Sequence, residues 1–100
     1  MENRRQPYIE KKIHKLSEND NYVAVSGMII SKADSGFTID DGRETLLVSY
    51  PNLEYSEDTY VRVFGRVIPR DHGFIIQADF VQDISKMDRF LYDKVKDLLT

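Results

Sequence analysis

The stretch Tyr60-Val61-Arg62-Val63-Phe64-Gly65-Arg66-Val67 decides how the rest of the chain is read. Val61, Val63 and Val67 fall on one side of a two-residue repeat, with Gly65 where a fourth apolar side chain would stand. Tyr60, Arg62, Phe64 and Arg66 fall on the other side. Side chains alternate faces along a strand, so this segment is a strand with a buried aliphatic face and an aromatic–basic outer face. A glycine inside a strand marks a bend, a bulge or the close approach of another backbone. A small closed barrel, whose sheet must coil strongly, needs such a kink.

Working outward, Tyr22 to Ser31 is a second β-rich run. Val23 and Val25 share a face, and Gly27 interrupts the alternation before Met28, Ile29 and Ile30. The pattern predicts one bent strand serving two parts of a sheet. Lys32 to Gly36 reads as a turn, and Phe37 to Asp40 as a short strand with Phe37 and Ile39 in the core. Asp41-Gly42 is a two-residue hairpin signal, because both central positions of that turn favour positive φ. The return strand runs from Arg43 to Tyr50, with Leu46, Val48 and Tyr50 on one face. Residues 52–58 are a polar connection too short for a sizeable helix. Beyond the opening stretch, Pro69 to Gly73 turns the chain and Phe74 to Ile84 supplies a fifth strand. Five strands with close turns predict a small antiparallel barrel.

The flanks read as helices. Residues 1–7 are a polar, mobile leader; Ile9, Ile13 and Leu16 then recur at i, i+4 and i+7, which predicts a short amphipathic helix over Tyr8–Leu16. Ser85-Lys86-Met87-Asp88 fits a capping box, and Met87, Phe90, Leu91, Val95, Leu98 and Leu99 keep helical spacing after it. Each of these large apolar groups contributes ~1.5–3 kcal/mol if buried. A barrel of this size has its own core, so the stripe points to another subunit. The expected fold class is all-β with flanking helices. It comprises a leader (1–7), a five-stranded barrel with its N-terminal helix (8–84) and a C-terminal oligomerisation helix (85–100).

The chain has 100 residues, 41% of them hydrophobic, which suffices for one core and not two. It has no cysteine, which excludes disulfides, thiolate metal sites and cysteine nucleophiles and points to an intracellular home. No run approaches the ~20 apolar residues of a membrane span, and Met1-Glu2-Asn3-Arg4-Arg5 lacks the apolar core of a signal peptide. A net charge of −3 argues against gripping nucleic acid by bulk electrostatics. The charge is uneven. Arg4, Arg5, Lys11, Lys12 and Lys15 against Glu2 and Glu10 leave residues 1–16 at +3 and the remainder at −6. That basic arm either touches phosphates or an acidic partner, or is a solvated leader.

Four features together resemble the small third subunit of replication protein A, an oligonucleotide-binding (OB) fold. They are Gly65-Arg66-Val67, Asp79-Phe80-Val81-Gln82 late in the last strand, the short link before the fourth strand, and Phe90-Leu91-Tyr92-Asp93-Lys94-Val95-Lys96 in the final helix. The telomere-capping relative Ten1 shares this architecture. The similarity spans residues 9–99 and departs at Tyr8–Leu16, where the family often opens with an extended segment. The resemblance implies a structural subunit of a heterotrimeric single-stranded-DNA-binding complex, acting in DNA replication, repair and recombination. It would be nuclear, or cytoplasmic in an archaeal cell. It also implies larger OB-fold partners, joined through a helix bundle at Met87, Leu91, Val95 and Leu98 with Phe90 and Leu99 flanking.

An OB-fold holds single strands by stacking bases on aromatics while cations follow the backbone. The candidates are Tyr60, Arg62, Phe64 and Arg66 on the fourth strand, with Lys32 and Arg43 near the hairpins. The competing reading makes Tyr60 and Phe64 packing residues and the arginines solvated, and it is preferred for Phe64. Either way, the acidic total implies weak DNA affinity for the isolated chain. Asp40, Asp41 and Glu44 cluster at the hairpin, where turn formation explains them better than acid–base or metal chemistry. His14 and His72 have no second histidine at ligand spacing. No catalytic residue, metal, cofactor, small-molecule substrate or membrane role is expected. A stand-alone OB-fold binder and, last, a small hydrolase or nuclease at the Asp40–Glu44 hairpin are the rival classes.

Overall fold

The computed structural model describes residues 8–85. Its strands are β1 (Ile9–Glu10), β2 (Tyr22–Ala33), β3 (Gly36–Asp40), β4 (Thr45–Ser49), β5 (Tyr60–Arg70) and β6 (Gly73–Asp83). The sheet order is β1-β2-β3-β4-β6-β5, and β5 pairs back onto β2. Strands β2 to β6 therefore close into a five-stranded barrel, with β1 laid parallel against the start of β2. Closure depends on the length of β2. Its residues Tyr22–Met28 pair with β5, and Met28–Ala33 pair with β3, so Met28 faces both Tyr60 and Asp40.

The alternating patterns meet in one core. Val23, Val25, Ile29, Phe37, Ile39, Val48, Val61, Val63 and Ile76 are all fully buried. The 50–59 connection adds the buried Leu53, and it is pinned by Asp58 N–H to the Ile29 carbonyl at 2.8 Å and by Ile29 N–H to the Thr59 carbonyl at 2.9 Å.

Four expectations need correction. The N-terminal helix over Tyr8–Leu16 does not form: Ile9–Glu10 is a strand paired with Val23 and Ala24, and only Ile13–Lys15 makes a single 3-10 turn. The β2 edge offers unpaired backbone groups, and Lys11 N–H donates to the Ala24 carbonyl at 3.0 Å. A nine-residue helix is marginal by itself and does not compete with that ladder. Its supposed stripe also splits, since Ile13 is buried while Ile9 is 57% exposed.

The bend in β2 lies at the register shift between Ile29 and Ser31, not at Gly27, whose lack of a side chain instead admits the Asp40 carbonyl. The hairpin after β3 is a four-residue loop, Asp41–Glu44, with positive φ at Gly42 alone, so β4 begins at Thr45 rather than Arg43. The last turn is only Asp71–His72, because β5 continues through Pro69 to Arg70. On the β2 side the last contact of β5 is Val67 N–H donating to the Asn21 carbonyl at 2.9 Å; beyond it no strand among the described residues pairs with that edge, and a strand with one free edge tolerates proline. Apart from Ser85, the C-terminal helix expected over 85–100 lies outside the described residues.

Candidate functional site

The outer face of β5 carries Tyr60, Arg62, Phe64 and Arg66 in the alternation expected of it. What completes the face comes from β6. There the register steps from Phe64↔Phe80 to Gly65↔Ala78, leaving Asp79 as an extra residue. Ile76 and Ala78 point toward the core before this bulge, and Val81 does so after it. Unbroken alternation from Ile76 would have turned Phe80 inward; the bulge turns it out. Gly65 permits this, because a Cβ there would strike the Gln77 carbonyl and lie 2.7 Å from the Ala78 Cα.

Phe80 then stacks on Phe64, with ring centroids 4.5 Å apart and planes 17° from parallel. Tyr8 stands edge-on to three rings: Phe64 at 5.4 Å, Tyr22 at 5.9 Å and Phe80 at 5.9 Å. Such pairs each add ~0.5–1.5 kcal/mol beyond area burial. The Tyr8 hydroxyl donates to Asp79 Oδ2 at 2.6 Å, and its pKa is pushed up to about 12 by that hydrogen bond, then by burial and by the Asp79 charge. The Arg62 guanidinium lies 5.3 Å from the Phe64 ring centroid and pairs with Glu10 of β1. Arg66 is exposed and donates to Gln77 Oε1 at 3.2 Å. Phe64 is thus half-buried inside a packed cluster, while Phe80 remains 47% exposed.

The structure does not gather all the expected contacts. Tyr60 is half-buried at the start of β5 opposite Met28. Lys32 is exposed near the end of β2, and Arg43 is at the tip of the β3–β4 loop, where it lines a cleft with Lys12 and Lys15. Met87, Phe90, Leu91, Val95, Leu98 and Leu99 lie outside the described residues.

Two of the hairpin carboxylates, Asp40 and Asp41, are engaged in the loop itself. Gly42 N–H donates to Asp40 Oδ1 at 2.7 Å, while the N–H groups of Arg43 and Glu44 both donate to Asp41 Oδ1 at 2.9 Å. Among the described residues, no three histidine or acidic side chains converge as a metal set. Sequence reasoning missed Tyr8, Glu10, Tyr22, Asp79 and Phe80 as members of the outer cluster. Tyr8 was hidden by the helical reading of its segment, and Phe80 by a bulge whose trace in the sequence is only Asp79 beside Ala78.

No family model and no curated protein matches this sequence. Solved structures do match its shape. The S. pombe Stn1–Ten1 complex aligns at TM-score 0.72 and 14% identity over 90% of this chain and 89% of that one. The S. pombe telomere capping protein Ten1 aligns at 0.72 and 13% identity, over 89% and 93%. A replication protein A heterotrimer bound to single-stranded DNA aligns at 0.61 and 13% identity over 76% of this chain and 67% of that one. The hypothetical protein ygiW of E. coli aligns at 0.62 and 14% identity, over 79% and 99%. The fold is an OB-fold.

OB-folds take oligonucleotides on the face of their second and third barrel strands, between the loops after the first and fourth. In this OB-fold those strands are β3 and β4, whose outward residues include Thr38, Leu47 and Ser49. The flanking loops are Asp34–Ser35 and Asp71–His72. That face carries neither an aromatic platform nor a row of cations. The aromatic cluster sits instead over the first, fourth and fifth barrel strands.

Proposed function

We propose that this chain is an assembly subunit of a single-stranded-DNA-binding complex built with larger OB-fold subunits. The observation that carries the reading is the extent of the likeness to Ten1, which takes in 89% of this chain and 93% of that one. The poverty of the β3–β4 face supports a subunit over a stand-alone binder, since stacking and phosphate contacts supply most single-strand affinity. Engagement of Asp40 and Asp41 in turn hydrogen bonds supports a non-enzymatic role.

Within this class, the residues at Gly65–Val67, Asp79–Gln82 and Phe90–Lys96 favour the third subunit of a replication protein A heterotrimer, serving DNA replication, repair and recombination in the nucleus. The higher TM-score favours a Ten1-like telomere subunit. Two larger partners would mark the first, and one the second.

Assembly is assigned to the apolar stripe Met87, Phe90, Leu91, Val95, Leu98 and Leu99. Replacing Leu91 and Val95 with aspartate places two charges in that stripe and is expected to abolish co-purification with the larger subunits. Retention of those subunits by the double variant would refute the assignment.

A further inference from the structure

The outer face of the β5–β6 ribbon continues past the ring cluster toward the turn that joins the two strands. Its outward cross-strand pairs run, in order, Phe64 with Phe80, Arg66 with Gln77, and Ile68 with Ile75. Val67 and Ile76 are buried in the core, so their neighbours Ile68 and Ile75 face outward. Leu47 of β4 lies opposite Ile75 in the parallel ladder on its other side, and it is 52% exposed. The ribbon therefore presents two apolar knobs with a cation between them. One knob is aromatic, at Phe64 and Phe80; the other is aliphatic, at Ile68, Ile75 and Leu47.

The bulge at Asp79 turns Phe80 into water where unbroken alternation would have buried it. The stack on Phe64 and the edge contact with Tyr8 already hold that ring, so little side-chain freedom is left to lose on binding. Arg66 is exposed and its hydrogen-bond partner, Gln77, is neutral. The carboxylates beside the cluster are engaged elsewhere: Asp79 accepts the Tyr8 hydroxyl, and Glu10 pairs with Arg62. Among the described residues, no ion pair engages Arg66. A rigid exposed aromatic beside an arginine is the composition of a protein-binding hot spot.

Spacing and charge define what fits. Phe64 and Ile68 are four residues apart on β5, which at ~3.3 Å per residue sets the knobs ~13 Å apart. An α-helix rises ~1.5 Å per residue, so its positions i and i+8 are ~12 Å apart, with i+4 midway. Apolar groups at i, i+1, i+7 and i+8 share one ~120°-wide face with i+4 at its centre. Laid along the ribbon, such a helix covers both knobs and sets its i+4 side chain over Arg66, where a carboxylate complements the charge. The 86–100 stripe of this chain, or of a second copy, does not match: Lys94 stands midway between Phe90 and Leu98, and Val95 midway between Leu91 and Leu99. The aliphatic knob offers a nucleobase no ring to stack on, which favours a protein occupant. The geometry points to an amphipathic helix of a partner protein, aliphatic at i, i+1, i+7 and i+8 and acidic at i+4, docking along β5–β6 on Phe80, Arg66 and Ile75. This contact is separate from assembly through the 86–100 stripe.

The probe is a synthetic alanine-based helical peptide with leucine at those four positions and glutamate at i+4, titrated into the isotope-labelled full chain and followed by NMR. Amide shifts are expected to concentrate at residues 64–68 and 75–80. Phe80→Ala is expected to weaken binding roughly 10-fold or more, as truncation of a central aromatic anchor does. Arg66→Glu is expected to weaken it about 5-fold at low salt and to favour a peptide with lysine at i+4, reversing the wild-type order. Both side chains are exposed, and wild-type methyl signals from Val63 and Ile76 in the core show each variant folded. The Leu91→Asp, Val95→Asp variant, titrated in parallel, is expected to bind the peptide as wild type does. Loss of binding in that variant would place the peptide on the 86–100 stripe and overturn the proposal. So would equal affinity of the wild type for the glutamate and lysine peptides, or larger shifts at 64–68 and 75–80 from dT15 than from the peptide at equal concentration.

Discussion

Replacing Gly65 with alanine adds a single carbon where β5 and β6 come closest. The new Cβ would meet the Gln77 carbonyl and stand 2.7 Å from the Ala78 Cα. Carbon atoms sit comfortably at ~3.5–4.0 Å, so the strands must part by roughly 1 Å at this point. Both obstructing groups are backbone, and no rotamer change relieves the clash. Overpacking of this kind costs ~1–3 kcal/mol. Stretching one or two ladder hydrogen bonds adds ~1 kcal/mol each. The expected total is ~2–5 kcal/mol, which shifts a urea midpoint by ~1–3 M at a slope of ~1.5–2 kcal/mol/M. The loss should also be structural, because the bulge beside Gly65 is what presents Phe80 to Phe64, so the near-ultraviolet aromatic signal should fall. Gly27→Ala is the comparison: its nearest atom, the Asp40 carbonyl oxygen, is 3.0 Å away, and its cost should be smaller. A Gly65→Ala protein within 0.5 kcal/mol of wild type, with its aromatic signal intact, would refute this account of the bulge.

The remaining predictions concern the ring cluster, the core and the hairpin. Tyr8 has its pKa raised from 10.0 to about 12, so the folded state favours the neutral phenol. The stability gained from its bond to Asp79 is fully present below pH 10 and is lost as pH rises through 10 toward 12. The stability difference between wild type and Tyr8→Phe should therefore be level at neutral pH and shrink across that window. A residue-resolved NMR titration of the Tyr8 ring checks the shift itself. Ile76 is 0% exposed, so Ile76→Ala is expected to cost ~2–5 kcal/mol in equilibrium unfolding. Asp41→Ala removes the acceptor of two backbone N–H groups at an exposed loop and should cost only ~1 kcal/mol without altering the β3–β4 register, which amide exchange would report.

Much of the barrel was legible because its signals are local. Alternation in Val61–Val67, Phe37–Ile39 and Leu46–Val48 placed the buried side chains correctly, since a strand with one face in the core has only one parity available. Gly65 was recognisable as a kink for the same reason: an apolar position stood empty. The N-terminus failed because Ile9, Ile13 and Leu16 carry helical spacing, while the decisive factor, the open edge of β2 at Val23 and Ala24, is a long-range property. The outer cluster failed similarly. Tyr8, Tyr22, Phe64 and Phe80 come from four separate segments, and Phe80 joins them only because one extra residue reverses its facing. Arg43 was singled out for its charge, but its neighbours Lys12 and Lys15 come from a segment that was read as helix.

The central claim is that this barrel works inside a larger single-stranded-DNA-binding assembly. Native mass spectrometry of the chain purified under mild conditions from its own source, before and after passage over single-stranded DNA, tests it most directly. The account predicts a stoichiometric complex with one or two larger OB-fold subunits, retained on the DNA as a unit and dissolved by Leu91→Asp with Val95→Asp. A chain recovered only at its monomer mass of 11.7 kDa, or in a complex without OB-fold partners, would contradict it.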